Sequence, residues 1–164
     1  MQNLKMIVAV DSNWGIGKNG DLLFSIPEDM KFFRTTTQGS TVIMGRKTLD
    51  SFPGGKPLKN RENIVLTNNA SFEREGAIVC FSKEEVLEKV KNAESCFVIG
   101  GAAIYDMFLE NCSVAYITKV FANGDADRFI TNLDDSCEWE LTEQSEEKED
   151  NGYKFVFCKY ERIK

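Results

Sequence analysis

The chain has 164 residues, 42% hydrophobic and 28% charged, the proportions of one globular domain (1–164) built on one core. It contains no histidine, which removes Ser-His-Asp and Cys-His nucleophiles and His-ligated metals. A net charge of −6 makes a poor surface for nucleic acid. Acid–base work therefore falls to a carboxyl group, a lysine, a tyrosine or water. The start, MQNLKMIVAV, lacks a cationic region leading into a long apolar stretch and a cleavage site, and no apolar run is long enough to span a bilayer. A cytoplasmic protein is expected, monomeric and without membrane attachment. Cys80, Cys96, Cys112, Cys137 and Cys158 form no C-x-x-C pair, which argues against a disulfide framework and a structural zinc; no metal is expected.

In chain order, LKMIVAV reads as a strand. GIGKNG (15–20) spells a dinucleotide fingerprint, but Asp11-Ser12-Asn13-Trp14 separates it from the strand and DLLFSI starts no helix before Pro27, so a flexible loop, able to act as a lid, is expected. A helix runs from SIPEDM through KFFRTT. At about 100° per residue Asp29 falls between Phe32 and Phe33 on its apolar face, while Glu28 falls toward Lys31 and Thr35. A first-turn acid can serve the helix dipole, which suits Glu28 better than Asp29; a carboxyl group on an apolar face needs a use or a partner. Burial would raise the Asp29 pKa and the helix start would lower it, and the sequence leaves the winner open.

TVIM is a strand followed by GRKT (45–48), a helix start whose N–H groups, Arg46, Lys47 and Thr48 suit a phosphate and equally suit an ordinary basic helix start. NIVL, AIVCF and CFVI are further strands, with a helix beginning at Ser82, where Ser82 and Glu85 form a capping box. CFVI leads through Gly100-Gly101 into the helix AAIYDMFLEN, a junction that admits either a ligand or tight packing. VAYITKVF, WELTEQ and YKFVFCKYERI close the chain as strands, with Asn151-Gly152 marking a hairpin. The pattern is that of an α/β domain with a mostly parallel sheet and an antiparallel C-terminal strand. Charge is uneven. Residues 134–150 carry nine acids against Lys148 alone, and 46–61 carry Arg46, Lys47, Lys56, Lys59 and Arg61 against Asp50 alone, a basic island that can attract small anions.

VAVDSNWGIGKNGDL, IPEDMKFFR, VIMGRKT, NRENIVLT, FVIGGAAIY and YITKV, in this order and spacing, resemble the dihydrofolate reductases from Met6 to the C-terminal strand. The resemblance implies an eight-stranded, mostly parallel sheet flanked by four main helices, and NADPH-dependent reduction of dihydrofolate. It implies Asp29 as the catalytic carboxyl, binding the 2-amino group and N3 of the pterin, with Thr118 bonded to it. Ile7, Val8, Ala9 and Ile99 would form the pterin floor, with Leu22 and Tyr105 beside the substrate. Met30, Phe33, Phe52 and Leu58 would wall the aminobenzoyl ring, and Arg61 would grip the glutamate carboxylate.

For the cofactor, the resemblance implies Gly45, Arg46, Lys47 and Thr48 at the phosphates and Leu66, Thr67 and Asn68 toward the adenosine. Gly100, Gly101, Ala102, Ala103, Ile104 and Tyr105 would meet the pyrophosphate and nicotinamide. Ala9, Ile16 and Gly17 would lie beside the nicotinamide, with Asp127 steadying the lid. Three positions depart from the family pattern. Phe24 stands where Trp is usual and lacks an indole N–H donor. Ala103 stands where some relatives carry a basic residue, and Ile130 replaces a proline.

Overall fold

The computed structural model describes residues 4–163. The strands are β1 (Leu4–Val10), β2 (Gly15–Lys18), β3 (Asp21–Leu22), β4 (Thr41–Gly45), β5 (Glu62–Leu66), β6 (Ala77–Cys80), β7 (Cys96–Val98), β8 (Cys112–Val120), β9 (Arg128–Phe129), β10 (Trp139–Gln144), β11 (Lys148–Asp150) and β12 (Tyr153–Arg162). The helices are α1 (Pro27–Thr37), α2 (Arg46–Ser51), α3 (Lys83–Val90) and α4 (Ala102–Phe108). Eight strands form the main sheet in the order β10-β12-β8-β1-β7-β4-β5-β6, and β11 adds to β12. Pairing is parallel from β8 through β6 and antiparallel among β8, β12, β10 and β11.

The strand sequences explain this arrangement. Thr41 to Met44 of β4 are all buried, because helices cover both faces of a parallel sheet. Alternation sorts their side chains. Val42 and Met44 join Leu49 of α2, with Phe32 and Phe33 of α1, on one face. Ile43 joins Val86 and Val90 of α3 and Tyr105 and Phe108 of α4 on the other. Ser82 caps α3 by accepting from the Glu85 N–H. At the antiparallel end the expected Asn151-Gly152 hairpin is present, with φ of 51° and 82°. The helix expected over AAIYDMFLEN ends at Phe108 and tightens into a 3₁₀ turn at Leu109–Asn111.

The glycine-rich 15–20 segment differs from the expected loop. It folds as β2, a turn at Asn19 (φ 52°) and Gly20 (φ 85°), and β3, and β9 pairs with β2 to complete a three-stranded sheet. Two successive positive φ values are what a tight hairpin needs, and Asn-Gly supplies them. Asp11, 3% exposed, ties this sheet to the domain. Its Oδ1 accepts from the N–H groups of Asn13 and Gly15 and its Oδ2 from that of Gly124. All five cysteines are free thiols, four of them buried and Cys137 exposed.

Replacing Asp11 with Ala leaves those N–H groups without their acceptor. We expect a loss of about 2–4 kcal/mol, because orphaning a buried donor costs about 1–3 kcal/mol. Urea unfolding of both proteins at one pH measures it.

Candidate active site

Asp29 reaches its site from the first turn of α1, whose N1 position is Pro27, a residue with no N–H to lose there. The Thr118 hydroxyl, on β8 and 3% exposed, donates to Asp29 Oδ1 at 2.6 Å. Strand register explains the meeting. Ile7 pairs with Tyr116 and Ala9 with Thr118, so alternation turns this row toward α1. Burial pushes the Asp29 carboxyl above its ordinary value, and the Thr118 bond opposes the shift without cancelling it. Beside this row Phe32 stacks on Phe157 at 4.4 Å between centroids.

β1 and β7 pair at Lys5↔Phe97 and Met6↔Val98. Just beyond, the Ile7 carbonyl accepts from the Tyr105 hydroxyl at 2.8 Å. Ile7 and Ile99 belong to one buried cluster, and Phe33, Phe52 and Leu58 pack against it. Val8 packs on the opposite face, which leaves only its backbone on the Asp29 side. Met30 and Leu22 are 56% and 80% exposed.

Arg61 is half-buried. Its Nη1 donates to the Thr37 hydroxyl and its Nε to the Lys59 carbonyl, and among the described residues no carboxylate pairs with it. Burial, then the nearby Arg34 charge, lowers its pKa. A guanidinium without a paired acid has donors free for a carboxylate. The loop carrying Leu58 and Arg61 is held by Asn63, a residue the sequence reading passed over. The Asn63 side chain donates to the Leu58 and Arg61 carbonyls and accepts from the Leu58 N–H. An amide at the head of the apolar run 64–66, 2% exposed, was the available signal.

Two strand-to-helix junctions meet at the C-terminal ends of β4 and β7. The Gly45 N–H donates to the Gly100 carbonyl at 2.9 Å, and Gly45 and Gly101 start α2 and α4 with no side-chain cap. Gly100 has a φ of 121°, which favours glycine, and the Gly100–Gly101 peptide is cis. A Cβ added at Gly101 would meet only Thr48 Oγ1, at 3.9 Å. Ile104 and Tyr105 are buried, Ala102 is half-buried, and Ala103 is exposed. Arg46 and Lys47 are exposed beside Thr48.

Arg46 is not isolated. Its guanidinium lies 5.0 Å from the Phe72 ring centroid and 3.5 Å from Asp50. Arg74, which the sequence did not single out, lies 5.2 Å from the same ring and 2.9 Å from the same carboxylate. Leu66 is buried at the end of β5, Thr67 Oγ1 accepts from the Asn69 N–H, and Asn68 is exposed. In the small sheet Ile16 is buried. The Asp127 N–H donates to the Gly17 carbonyl, and Asp127 Oδ2 accepts from the Asn19 N–H, both at 2.9 Å. A Lys18–Asp125 ion pair at 2.9 Å adds to this seam. Among the described residues no cluster of carboxylates and thiols could hold a metal ion.

The raised Asp29 value has a signed consequence for stability. Between the ordinary carboxyl value of 3.8 and the raised one, the folded chain binds more protons than the unfolded chain, so this group erodes stability as pH rises. Asp29→Asn removes that penalty. We expect the variant to match wild type in acid, to gain on it through this window, and to keep a constant advantage at neutral pH. Denaturant unfolding across the pH range measures the difference.

The dihydrofolate reductase family model matches residues 3–162. The dihydrofolate reductase of Bacillus subtilis (strain 168) is 38% identical over 161 residues, 97% of this chain and 94% of that protein. That of Staphylococcus haemolyticus is 35% identical over 163 residues, 98% and 96% of the two chains. A dihydrofolate reductase from Enterococcus faecalis, solved in complex with NADP(H) and RAB-propyl, superposes with a TM-score of 0.89 at 32% identity, covering 99% of this chain and 97% of that one. With a match over nearly its whole length and the same fold, the chain belongs to the dihydrofolate reductase family.

Proposed function

We propose that this protein reduces 7,8-dihydrofolate to 5,6,7,8-tetrahydrofolate with NADPH, in the cytoplasm and as a monomer, and so supplies one-carbon metabolism. The observation that carries the reading is the Asp29 carboxyl, half-buried on the apolar face of α1 with the Thr118 hydroxyl as its partner. A pterin presents its 2-amino group and N3 as adjacent donors on one edge of a flat ring. A carboxylate offers two acceptor oxygens at matching separation. Ile7, Ala9, Ile99 and the Val8 backbone form the floor, Leu22 and Tyr105 border the ring, and Met30, Phe33, Phe52 and Leu58 line the course of the aminobenzoyl group. Arg61, with Arg34 behind it, takes the glutamate carboxylate.

The residues present fit a dinucleotide. The Gly45 and Gly100–Gly101 junctions expose backbone without side-chain caps, and the Gly101 position stays open enough for a close approach. Arg46, Lys47 and Thr48 supply charge and hydroxyl for the phosphates, and Leu66, Thr67 and Asn68 flank the adenosine end. Ala9, Ile16, Gly17 and the Ala102–Tyr105 turn border the nicotinamide. When bound, NADPH supplies the hydride that reaches C6 of the pterin. The chain supplies alignment and a dry cleft. Asp29 orients the pterin and favours proton delivery to N5, with water as the donor. The β2–β3 hairpin, held by Asp127, closes over the site and limits exchange with solvent.

The first test is the loss of NADPH absorbance on adding dihydrofolate. The reading requires oxidation that depends on dihydrofolate and is slower with NADH. Asp29→Asn should slow turnover at neutral pH by at least about 100-fold, the scale of a lost acid–base group, while cofactor affinity stays unchanged in fluorescence titration. Normal turnover by that variant would remove Asp29 from the chemistry. Arg61→Gln should weaken dihydrofolate binding about 10–100-fold, as loss of a charged hydrogen bond does, and leave a bare pterin unaffected. Calorimetry with both ligands measures the difference.

A further inference from the structure

Helix α1 begins without a cap of its own. Its N-cap residue is Ile26, which has no side-chain acceptor, so the first-turn N–H groups depend on other parts of the chain. The Glu28 N–H donates to Asp150 Oδ2 at 2.8 Å, from a residue 122 positions away. Asp150 ends β11 at the tip of the β11–β12 hairpin, and three more contacts join that tip to the same segment. Asn151 Nδ2 donates to the Ser25 carbonyl at 2.6 Å. Lys148 Nζ lies 3.7 Å from Glu28 Oε2. The Tyr153 ring meets Phe24 edge-on at 4.9 Å between centroids.

The tip has little freedom of its own. Three residue pairs join β11 to β12, and Asn151 and Gly152 set the turn. β12 in turn pairs with β8, placing Phe157 opposite Thr118. The sheet that carries Thr118 therefore touches the first turn of α1 twice. One touch is the Thr118 hydroxyl on the Asp29 carboxyl group itself. The other runs through β12 and Asp150 to the N–H of Glu28, the residue before Asp29.

We propose that Asp150 is a positioning residue for the reaction, capping α1 from across the chain and thereby fixing the direction in which the first turn presents the Asp29 carboxyl. The inference rests on the reading of Asp29 given above. Its consequences separate from those of charge. Asp150 shares this corner with Glu28 on α1 and with Lys148 and Glu149 on its own hairpin. Removing one negative charge there alters the local field equally in Asp150→Ala and Asp150→Asn. Only Asn keeps an acceptor for the Glu28 N–H, and Asn caps helices about as well as Asp. A difference between these two variants thus reports the cap.

The test follows hydride transfer in a single turnover and, without any substrate, the Asp29 carboxyl titration by ¹³C NMR. In Asp150→Ala we expect transfer to slow about tenfold, equivalent to about 1.4 kcal/mol of barrier, with NADPH affinity unchanged and the Asp29 titration displaced from that of the Asn variant. In Asp150→Asn we expect transfer within about threefold of wild type, as a cap of similar quality allows. Asp150→Glu keeps the charge on a longer arm and should fall with Ala, which keeps the test open if the Ala protein does not fold. Equal rates and equal titrations in Ala and Asn, or a Glu variant like wild type, would overturn the positioning role. If wild type itself oxidised no NADPH with dihydrofolate, the functional reading would fall, while the titration would still decide whether Asp150 positions Asp29.

Discussion

The Thr118 hydroxyl meets Asp29 where α1 crosses the end of β8, and the surroundings of that bond are otherwise apolar. A carboxyl group in such a place is expensive to ionise, and one neutral donor offsets part of the cost. The result is a group that can still ionise but does so reluctantly. That condition lasts only while helix and strand hold their relative positions. The helix is anchored through Phe32 and Phe33, which pack against the apolar cluster on that face of the sheet. The strand is held by β1 on one side and β12 on the other. Rearrangement of either element would expose the carboxyl to water and return it to ordinary behaviour.

The molecule is acidic overall, yet its positive charges are organised rather than scattered. Arg61 feels the charge of Arg34, and among the described residues no carboxylate pairs with it. Arg46 and Arg74 instead share Asp50 and the Phe72 ring, so these guanidinium groups are oriented before any ligand arrives. Pre-orientation lowers the entropy lost on binding, and the shared carboxylate limits the attraction for anions of the wrong shape. Electrostatics thus acts differently at the two clusters.

The sheet, its parallel character and the placing of the helices were legible because hydrophobic periodicity encodes them directly. So was the peculiarity of Asp29, since helical phase alone puts it between Phe32 and Phe33. Much of what stayed hidden has one physical character: side chains bonded to partners distant in the chain. Asp11 binds Gly124, 113 residues on, and Asp150 binds Glu28 across 122. Arg74 meets Asp50 from outside the basic cluster that drew attention. Each residue is an ordinary polar side chain in its local sequence, and only folding gives it a partner. The β2–β3 hairpin escaped for a different reason. Its glycines were weighed as flexibility, while the pair of positive-φ residues at Asn19-Gly20 was not weighed as a turn.

The distribution of thiols has a practical side. Burial pushes Cys96 and Cys112 up to about 12 and also raises Cys80 and Cys158, so all four are withheld from reagents that require a thiolate. Cys137 alone is exposed, on the segment that continues from β9, the strand that pairs with β2. The chain therefore carries a single addressable attachment point for a fluorophore or spin label, a few residues beyond the small three-stranded sheet. The closure proposed for the β2–β3 hairpin can be tested in the unmodified sequence, with no cysteine removed and none introduced.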